Sequence, residues 1–383
     1  MKRIKRIVIF TLFMDILWFS VIIPAFPNLV EYYHASYFMI TLGSTLFALL
    51  GLFSTPILWA ISDKYGRKPV LMVSVLFTFL SYVIVAFSWN VWIYLLARVV
   101  SGLAAGNIWA IQSILSDISA DHKERMENFW FFGVVFGIWF IIGPAIGGWL
   151  LGYWLKVPFF ASAVLSGLNF LFVIFGLPET NKLLNTTKQF TINVIRIFKD
   201  IFVSSEKKYY LVFFLVNLGI LIYQMSFILF LSKRFGIWGE KSWYIMALFG
   251  LIMIINQWFL LKSFWLKKFS NKKLLSISLL GMVACYLTAF FLPWALPIIV
   301  LVALSWLFQW IFRPVFQNMM LGNRQDVWVV NGNASAIVNL AEIFWPVIGG
   351  YMIDMNLSPF ALVAGLILLA YIYAKKHLAS HIA

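Results

Sequence analysis

Ser62-Asp63-Lys64-Tyr65-Gly66-Arg67-Lys68-Pro69-Val70-Leu71 is a short charged turn set between two runs too apolar to be anything but membrane spans. Outward from that turn the same alternation continues. The chain has 383 residues, 63% hydrophobic and 11% charged, with a mean hydropathy of +0.92, against about 25% charged residues in a soluble domain. Apolar runs of about 20 residues, each long enough to cross a bilayer as a helix, recur about twelve times. They cover 6–29, 38–61, 69–88, 91–115, 128–152, 157–177, 209–233, 242–264, 273–291, 296–320, 330–354 and 357–375. The short alternating segments of a β-barrel are not the pattern. The expected fold is therefore an all-α integral membrane protein with twelve transmembrane helices in two six-helix bundles, 1–177 and 209–383, joined by a cytoplasmic linker, 178–208.

The net charge of +15 could suggest nucleic acid, but the basic residues fall in alternate connections rather than on one domain. Lys2, Arg3, Lys5 and Arg6 precede span 1; Lys64, Arg67 and Lys68 follow span 2; Lys123 and Arg125 follow span 4; Lys262, Lys267, Lys268, Lys272 and Lys273 follow span 8. The linker adds Lys182, Lys188, Arg196, Lys199, Lys207 and Lys208, whereas the intervening connections carry only Lys156, Lys233, Arg234 and Lys241. Under the positive-inside rule both termini are cytoplasmic, and the partner is a lipid bilayer, not nucleic acid. The basic start lacks a small-residue cleavage site and Asp15 interrupts its apolar run, so it reads as a retained first span. Within the linker, Phe190, Ile192, Val194, Ile195, Ile197, Phe198, Ile201 and Phe202 interleave with Arg196, Lys199 and Asp200, which predicts an amphipathic surface helix.

Cys285 is the single cysteine, which excludes an internal disulfide and a thiolate metal cluster. His34, His122, His377 and His381 lack metal-ligand spacing, and no phosphate-cradling glycine loop is present. No metal, no cofactor, no enzymatic reaction and no ATP-driven pump are expected.

The halves echo each other. Gly143-Pro144-Ala-Ile-Gly147-Gly148 in span 5 returns as Trp345-Pro346-Val-Ile-Gly349-Gly350 in span 11, and Lys64-Tyr65-Gly66-Arg67-Lys68 as Lys268-Phe269-Ser270-Asn271-Lys272. Both matches have an offset of about 200 residues, which favours duplication, as in transporter folds built from repeats.

Four features resemble the major facilitator superfamily. The Asp63 to Lys68 turn is similar to its loop between helices 2 and 3, and Arg98-Val-Val-Ser-Gly102 to its Arg-x-x-x-Gly motif in helix 4. Gly143-Pro144-x-x-Gly147-Gly148 resembles the helix-5 motif of its antiporter branch. Residues 98–182, with Ser116-Asp117 and Pro178-Glu179-Thr180, together with Asp15 and Pro24-Ala-Phe-Pro27, look like the bacterial tetracycline-exporter branch of drug:proton antiporters. The resemblance implies that Asp63, Gly66, Arg67 and Lys68 act as a gate. The plain alternative is a solvated turn capping two helices. Two departures count: Trp59 stands where the family pattern has a Gly before the turn, and spans 3 and 9 lack the exporters' acidic residues, so tetracycline itself is not the expected substrate.

Asp15 and Glu342 are the carboxylates deep in apolar spans, and Arg98 is a cation in one. Charge inside hydrocarbon is costly unless it has a task, so these three are the candidate proton-coupling residues, with Asp15 the carrier coupled to Arg98. The alternative for each is a structural tie between helices. Trp306, Gln309, Trp310, Arg313 and Gln317 share one face of span 10, Asn217 and Gln224 one face of span 7 beside Tyr223, and Trp18 lies one turn from Asp15. Amides and a guanidinium among aromatics suit a substrate-binding cavity wall better than lipid contact, and Arg313 favours an anionic or zwitterionic substrate.

The expected function is a proton-coupled secondary transporter of a small amphiphilic molecule, an efflux antiporter in a bacterial inner membrane, working as a monomer. An organic-anion transporter, for a siderophore or carboxylate metabolite, is the first alternative. A non-transporting scaffold or sensor is the second.

Overall fold

The computed structural model describes residues 2–119, 135, 138–139, 141–180, 207–237, 239–321 and 327–378. Among them, ten helices are long and apolar enough to cross a membrane, and two shorter apolar helices, Val91–Leu103 and Ile141–Leu151, lie where spans 4 and 5 are expected. The described secondary structure is helical throughout.

The chain divides into two compact units, 1–35 with 42–194 and 238–247, and 36–41 with 195–237 and 248–383. In the first, α1 (Lys2–Ile22) passes through a 3-10 turn at Ile23–Ala25 into α2 (Phe26–Tyr32). Pro24 and Pro27 cause the distortion, since neither can donate to the helix ladder. Then come α3 (Tyr37–Tyr65), whose residues up to Thr41 belong to the second unit, α4 (Arg67–Phe87), α5 (Val91–Leu103), α6 (Asn107–Asp117), α7 (Ile141–Leu151) and α8 (Val157–Gly176). Helix α4 packs on α8 and α5, and α1 on α8 and α6.

The second unit holds α9 (Lys207–Phe235), the part of α10 (Gly239–Ile255) from Leu248 on, which continues through a π-helical stretch Asn256–Trp265 into α11 (Leu266–Lys268), then α12 (Asn271–Phe291), α13 (Ala295–Leu321), α14 (Val327–Asp354) and α15 (Phe360–His377). Here α9 packs on α14 and α15, and α12 on α13 and α15. Lipid tails are as apolar as leucine, so shape rather than water exclusion holds such helices together. In this unit rings supply the shape: Phe213 stacks on Phe316 at 5.9 Å and Phe312 on Phe316 at 5.1 Å, while Tyr223 meets Tyr286 at 4.7 Å.

The repeated Gly-Gly pairs supply it by absence. A methyl at Gly147 would overlap the Val21 carbonyl of α1, and one at Gly349 the Ser226 hydroxyl of α9. Gly148 lies against Trp243 in the first unit, and Gly350 against Thr41 and Phe38 in the second. The Thr41 hydroxyl donates to the Pro346 carbonyl at 2.8 Å.

One expected element is corrected. Span 4 was expected as a continuous helix over 91–115, but it breaks at Ala104–Gly106 into α5 and α6. The cause is a run of small residues, which do not fill a helix surface, and neighbours that satisfy the backbone the break frees. Ser54 Oγ donates to the Gly102 carbonyl and Thr55 Oγ1 to the Ala105 carbonyl, each at 2.8 Å. In oil that compensation is a condition for the break to exist. The amphipathic helix expected in the linker lies outside the described residues.

Candidate functional site

Four clusters of polar side chains carry chemistry, and the break in span 4 makes the first. It places Asn107 at the first position of α6, where its side-chain Nδ2 donates to Asp15 Oδ1 at 2.7 Å and to Thr78 Oγ1 at 3.1 Å. The Asp15 carboxylate is thus held by an amide rather than by a cation. Thr11, Asp15 and Trp18 lie along one face of α1, and the buried Thr11 Oγ1, Trp18 Nε1 and Asn107 Oδ1 find no hydrogen-bond partner among the described residues. Arg98, 7% exposed, rests 5.7 Å from the Tyr94 ring, and its Nε also lacks a partner there. Gly43 makes room for both, since a methyl would come within 2.7 Å of the Arg98 side chain. Asp15 and Arg98 make no ion pair with each other.

The second cluster is the charged turn. Gly66 has φ +111°, which a side chain resists. Arg67 reaches back along the chain: Nη1 donates to Asp63 Oδ1 at 2.7 Å and Ser62 Oγ at 3.0 Å, and Nε to Asp117 Oδ2 at 3.1 Å. Glu179 closes the turn from the end of α8, accepting from the Arg67 and Lys68 backbone N–H at 2.9 and 3.1 Å. A carboxylate on a helix N-terminus meets unsatisfied donors and the positive end of the dipole together. Lys68 Nζ donates to the Ile174 carbonyl at 2.7 Å, so α3, α4, α6 and α8 are tied at one end. Trp89, Trp92, Trp149, Tyr153 and Trp154 stand exposed near the other ends of these helices, as an aromatic belt does.

Among those aromatic residues lies the third cluster. Lys156 is 1% exposed, and its ammonium donates to Tyr33 Oη at 3.0 Å, Ser88 O at 2.8 Å, Ser88 Oγ at 3.0 Å and Val85 O at 3.1 Å. The Tyr32 and Tyr33 rings flank it at 4.6 and 5.0 Å. Burial pulls its pKa down to about 8. Sequence reading gave Lys156 no role; a lone cation in a connection otherwise poor in them was the available signal.

The fourth cluster is in the second unit. Tyr223 is fully buried and donates to Gln309 Oε1, and Trp306 is buried against Phe249 at 4.9 Å, so these three shape the interior. Asn217 is half-buried and donates to the Phe213 carbonyl at 2.7 Å; Gln224 and Trp310 are half-buried as well. Arg313 on α13 is exposed. Glu342 on α14 is half-buried. Two further amides were missed by sequence reading. Asn339 is half-buried one turn from Glu342, and the fully buried Asn256 opens the π-helical stretch and donates to the Leu307 carbonyl at 3.3 Å. No group of metal-ligating side chains occurs among the described residues.

A family model described as Major Facilitator Superfamily matches residues 8–327. The chain is 25% identical to "Multidrug resistance protein 2" of Bacillus subtilis (strain 168) over 96% of its own length and 93% of that protein's. It is 26% identical to "Tetracycline resistance protein, class H" of Pasteurella multocida, over 98% and 97%. In fold it is similar to the human organic anion transporter MFSD10 (TETRAN), with a TM-score of 0.73 at 19% identity over 97% of this chain and 99% of that one.

Proposed function

The chain belongs to the Major Facilitator Superfamily, and on that premise we propose that it is a proton-coupled exporter of small amphiphilic molecules. It is a multi-pass membrane protein and a transporter rather than an enzyme. The relatives named for multidrug and tetracycline resistance support export as the direction. Their bacterial sources support a bacterial inner membrane, and the alternating basic connections support cytoplasmic termini. We read residues 1–177 and 209–383 as the two moving bundles, 178–208 as their linker, and one chain as the working unit.

The observation that carries the reading is Asp15. It is a carboxylate inside an apolar span, partnered by a neutral amide at the break of another helix, with orphaned polar atoms on its own face. A group held this way can gain or lose a proton without losing an ion-pair partner. Arg98 is proposed as the fixed positive charge near it, and Glu342 as the titrating group of the second unit. The Arg67 hub, with Asp63, Gly66 and Lys68, is proposed as the gate that must open for the cycle to turn, and Gly143, Pro144, Gly147 and Gly148 as the seam along which α7 moves past α1. Trp18, Asn217, Gln224, Trp310 and Arg313 would meet substrate, with Tyr223, Trp306 and Gln309 supporting them.

Asp15→Asn is expected to abolish proton-driven ethidium uptake into everted vesicles, by on the order of 100-fold or more for loss of an essential acid–base group, while the protein still reaches the membrane. Undiminished uptake would reject Asp15 as the carrier.

A further inference from the structure

The repeat that gives the first unit its charged turn gives the second unit one as well, and the two copies have diverged in charge. Lys64-Tyr65-Gly66-Arg67-Lys68 corresponds to Lys268-Phe269-Ser270-Asn271-Lys272. Acids surround the first copy: Asp63 and Asp117 take the Arg67 guanidinium, and Glu179 sits on the first N–H groups of α4. The second copy has lost them. No Asp or Glu occurs from residue 241 to 325, while Lys262, Lys267, Lys268, Lys272 and Lys273 gather at the turn.

Lys267, Lys268, Lys272 and Lys273 are all exposed. None of these four ammonium groups makes an ion pair or hydrogen bond with a described residue; that of Lys268 rests on the Phe264 and Phe269 rings, at 5.3 and 6.0 Å. The backbone that carries them is anchored from beneath. Trp265 and Phe269 pack on the buried Leu274, Ile311 and Val315, with their rings 5.9 Å apart, and Phe264 meets both, at 5.0 and 6.0 Å. Ser270 caps the start of α12, its Oγ accepting from the Lys273 N–H at 3.5 Å.

Beside the lysines, Phe259, Phe264 and Leu266 stand exposed. At the end of a membrane span such side chains meet acyl chains, which puts the ammonium groups at the level of the headgroups. Like charges this close repel one another unless anions gather among them. A merely solvated lysine face accounts for the charge but not for the apolar side chains next to it. A molecule with an anionic head and apolar tails meets both, whereas a zwitterionic head brings an ammonium of its own and gains less.

We propose that the turn between α11 and α12 is a docking surface for an anionic phospholipid. Its phosphate lies among Lys267, Lys268, Lys272 and Lys273, in the part that acids play in the first unit, and its acyl chains lie along Phe259, Phe264 and Leu266. Each lysine adds to the attraction for a negative head. This goes beyond the transport reading and does not depend on it.

Native mass spectrometry of the detergent-purified full chain, titrated with dioleoyl-phosphatidylglycerol or dioleoyl-phosphatidylcholine, tests it. The parent is expected to bind phosphatidylglycerol on the order of ten-fold tighter. Lys267→Gln, Lys268→Gln, Lys272→Gln and Lys273→Gln together should bring phosphatidylglycerol down to the level of phosphatidylcholine and leave the latter unchanged. Each adjacent pair of those substitutions should remove part of the preference, so the result does not hang on the fourfold variant, and arginine at all four positions should keep it. Because the whole chain is basic, four other exposed lysines, Lys207, Lys208, Lys375 and Lys376, changed to Gln in the same way should keep most of it. Glycerol 3-phosphate, the head without the tails, should not displace the lipid at equal concentration.

Equal binding of the two lipids by the parent, a preference that survives the four glutamines, a loss of both lipids alike, an equal loss in the other set of four, or displacement by glycerol 3-phosphate would overturn the proposal.

Discussion

Arg98 apart, the two units handle interior charge differently. In the first, Arg67 lies between Asp63 and Asp117, Asp15 takes a hydrogen bond from Asn107, and Lys156 is enclosed by four oxygens and two rings. In the second, the side chains of Arg313 and Glu342 make no hydrogen bond or ion pair with another described residue. Charge tied to the protein serves gating and proton handling, where the partner must always be present. Charge left untied within oil is costly.

The contrast breaks most severely if the first unit's ties are cut. Asn107→Leu removes the hydrogen bond that holds Asp15 among the described residues, and leaving a buried carboxylate unsatisfied costs about 1–3 kcal/mol or more. Proton-driven ethidium uptake should fall on the order of ten-fold or more, with the thermal midpoint as a control; an unaffected rate would mean that Asp15 does not need this partner. Gly66→Ala attacks the hub through the backbone. At φ +111° and against the Glu179 carboxylate the added methyl has no room, which predicts a loss of about 1–3 kcal/mol in thermal stability and slower uptake. A variant as stable as the parent would show that the turn relaxes freely.

Smaller effects sharpen the comparison. Each unit caps a helix with an acid from a distant segment: Glu179 takes the first N–H groups of α4, and Asp354 takes those of Tyr37 and Phe38 at 2.9 Å each. Glu179→Ala and Asp354→Ala should each cost about 1 kcal/mol, as for other N-caps, but only Glu179 adjoins the Arg67 hub, so uptake should suffer more from its loss than the thermal midpoint does. Equal effects on uptake would remove the hub's special place.

The smallest effect is a pH trend. Burial lowers the Lys156 pKa to about 8 from 10.5, so between those values the unfolded chain binds more protons than the folded one. Stability therefore rises with pH across that window. The thermal midpoint of the parent should climb as pH passes about 8 toward 10.5, and Lys156→Met should remove that climb; a climb that survives the substitution belongs to another group.

Span positions were legible because crossing a bilayer leaves a long, local mark: the expected 38–61, 157–177 and 296–320 are Tyr37–Tyr65, Val157–Gly176 and Ala295–Leu321. Asp15, Glu342 and Arg313 stood out because a charge in an apolar run needs no alignment to be noticed. Asn107 did not, since an amide is common and its meaning depends on a helix break that Ser54 and Thr55 stabilise from another span. The expected stripe on span 10 divided for a related reason. Helical spacing places Trp306, Gln309, Trp310 and Arg313 on one face, but only the neighbouring helices decide that Trp306 is sealed against Phe249 while Arg313 stays exposed.

By itself the sequence determined the membrane class, the spans, the repeated Gly-Gly pairs and the identity of the few charges placed in oil, because each follows from composition and spacing along one chain. The tertiary structure decided which of those charges have partners. That depends on side chains from separate spans meeting within about 3 Å, a distance that no periodicity along the chain encodes, and it is what separates the tied carboxylate of Asp15 from the untied side chains of Arg313 and Glu342.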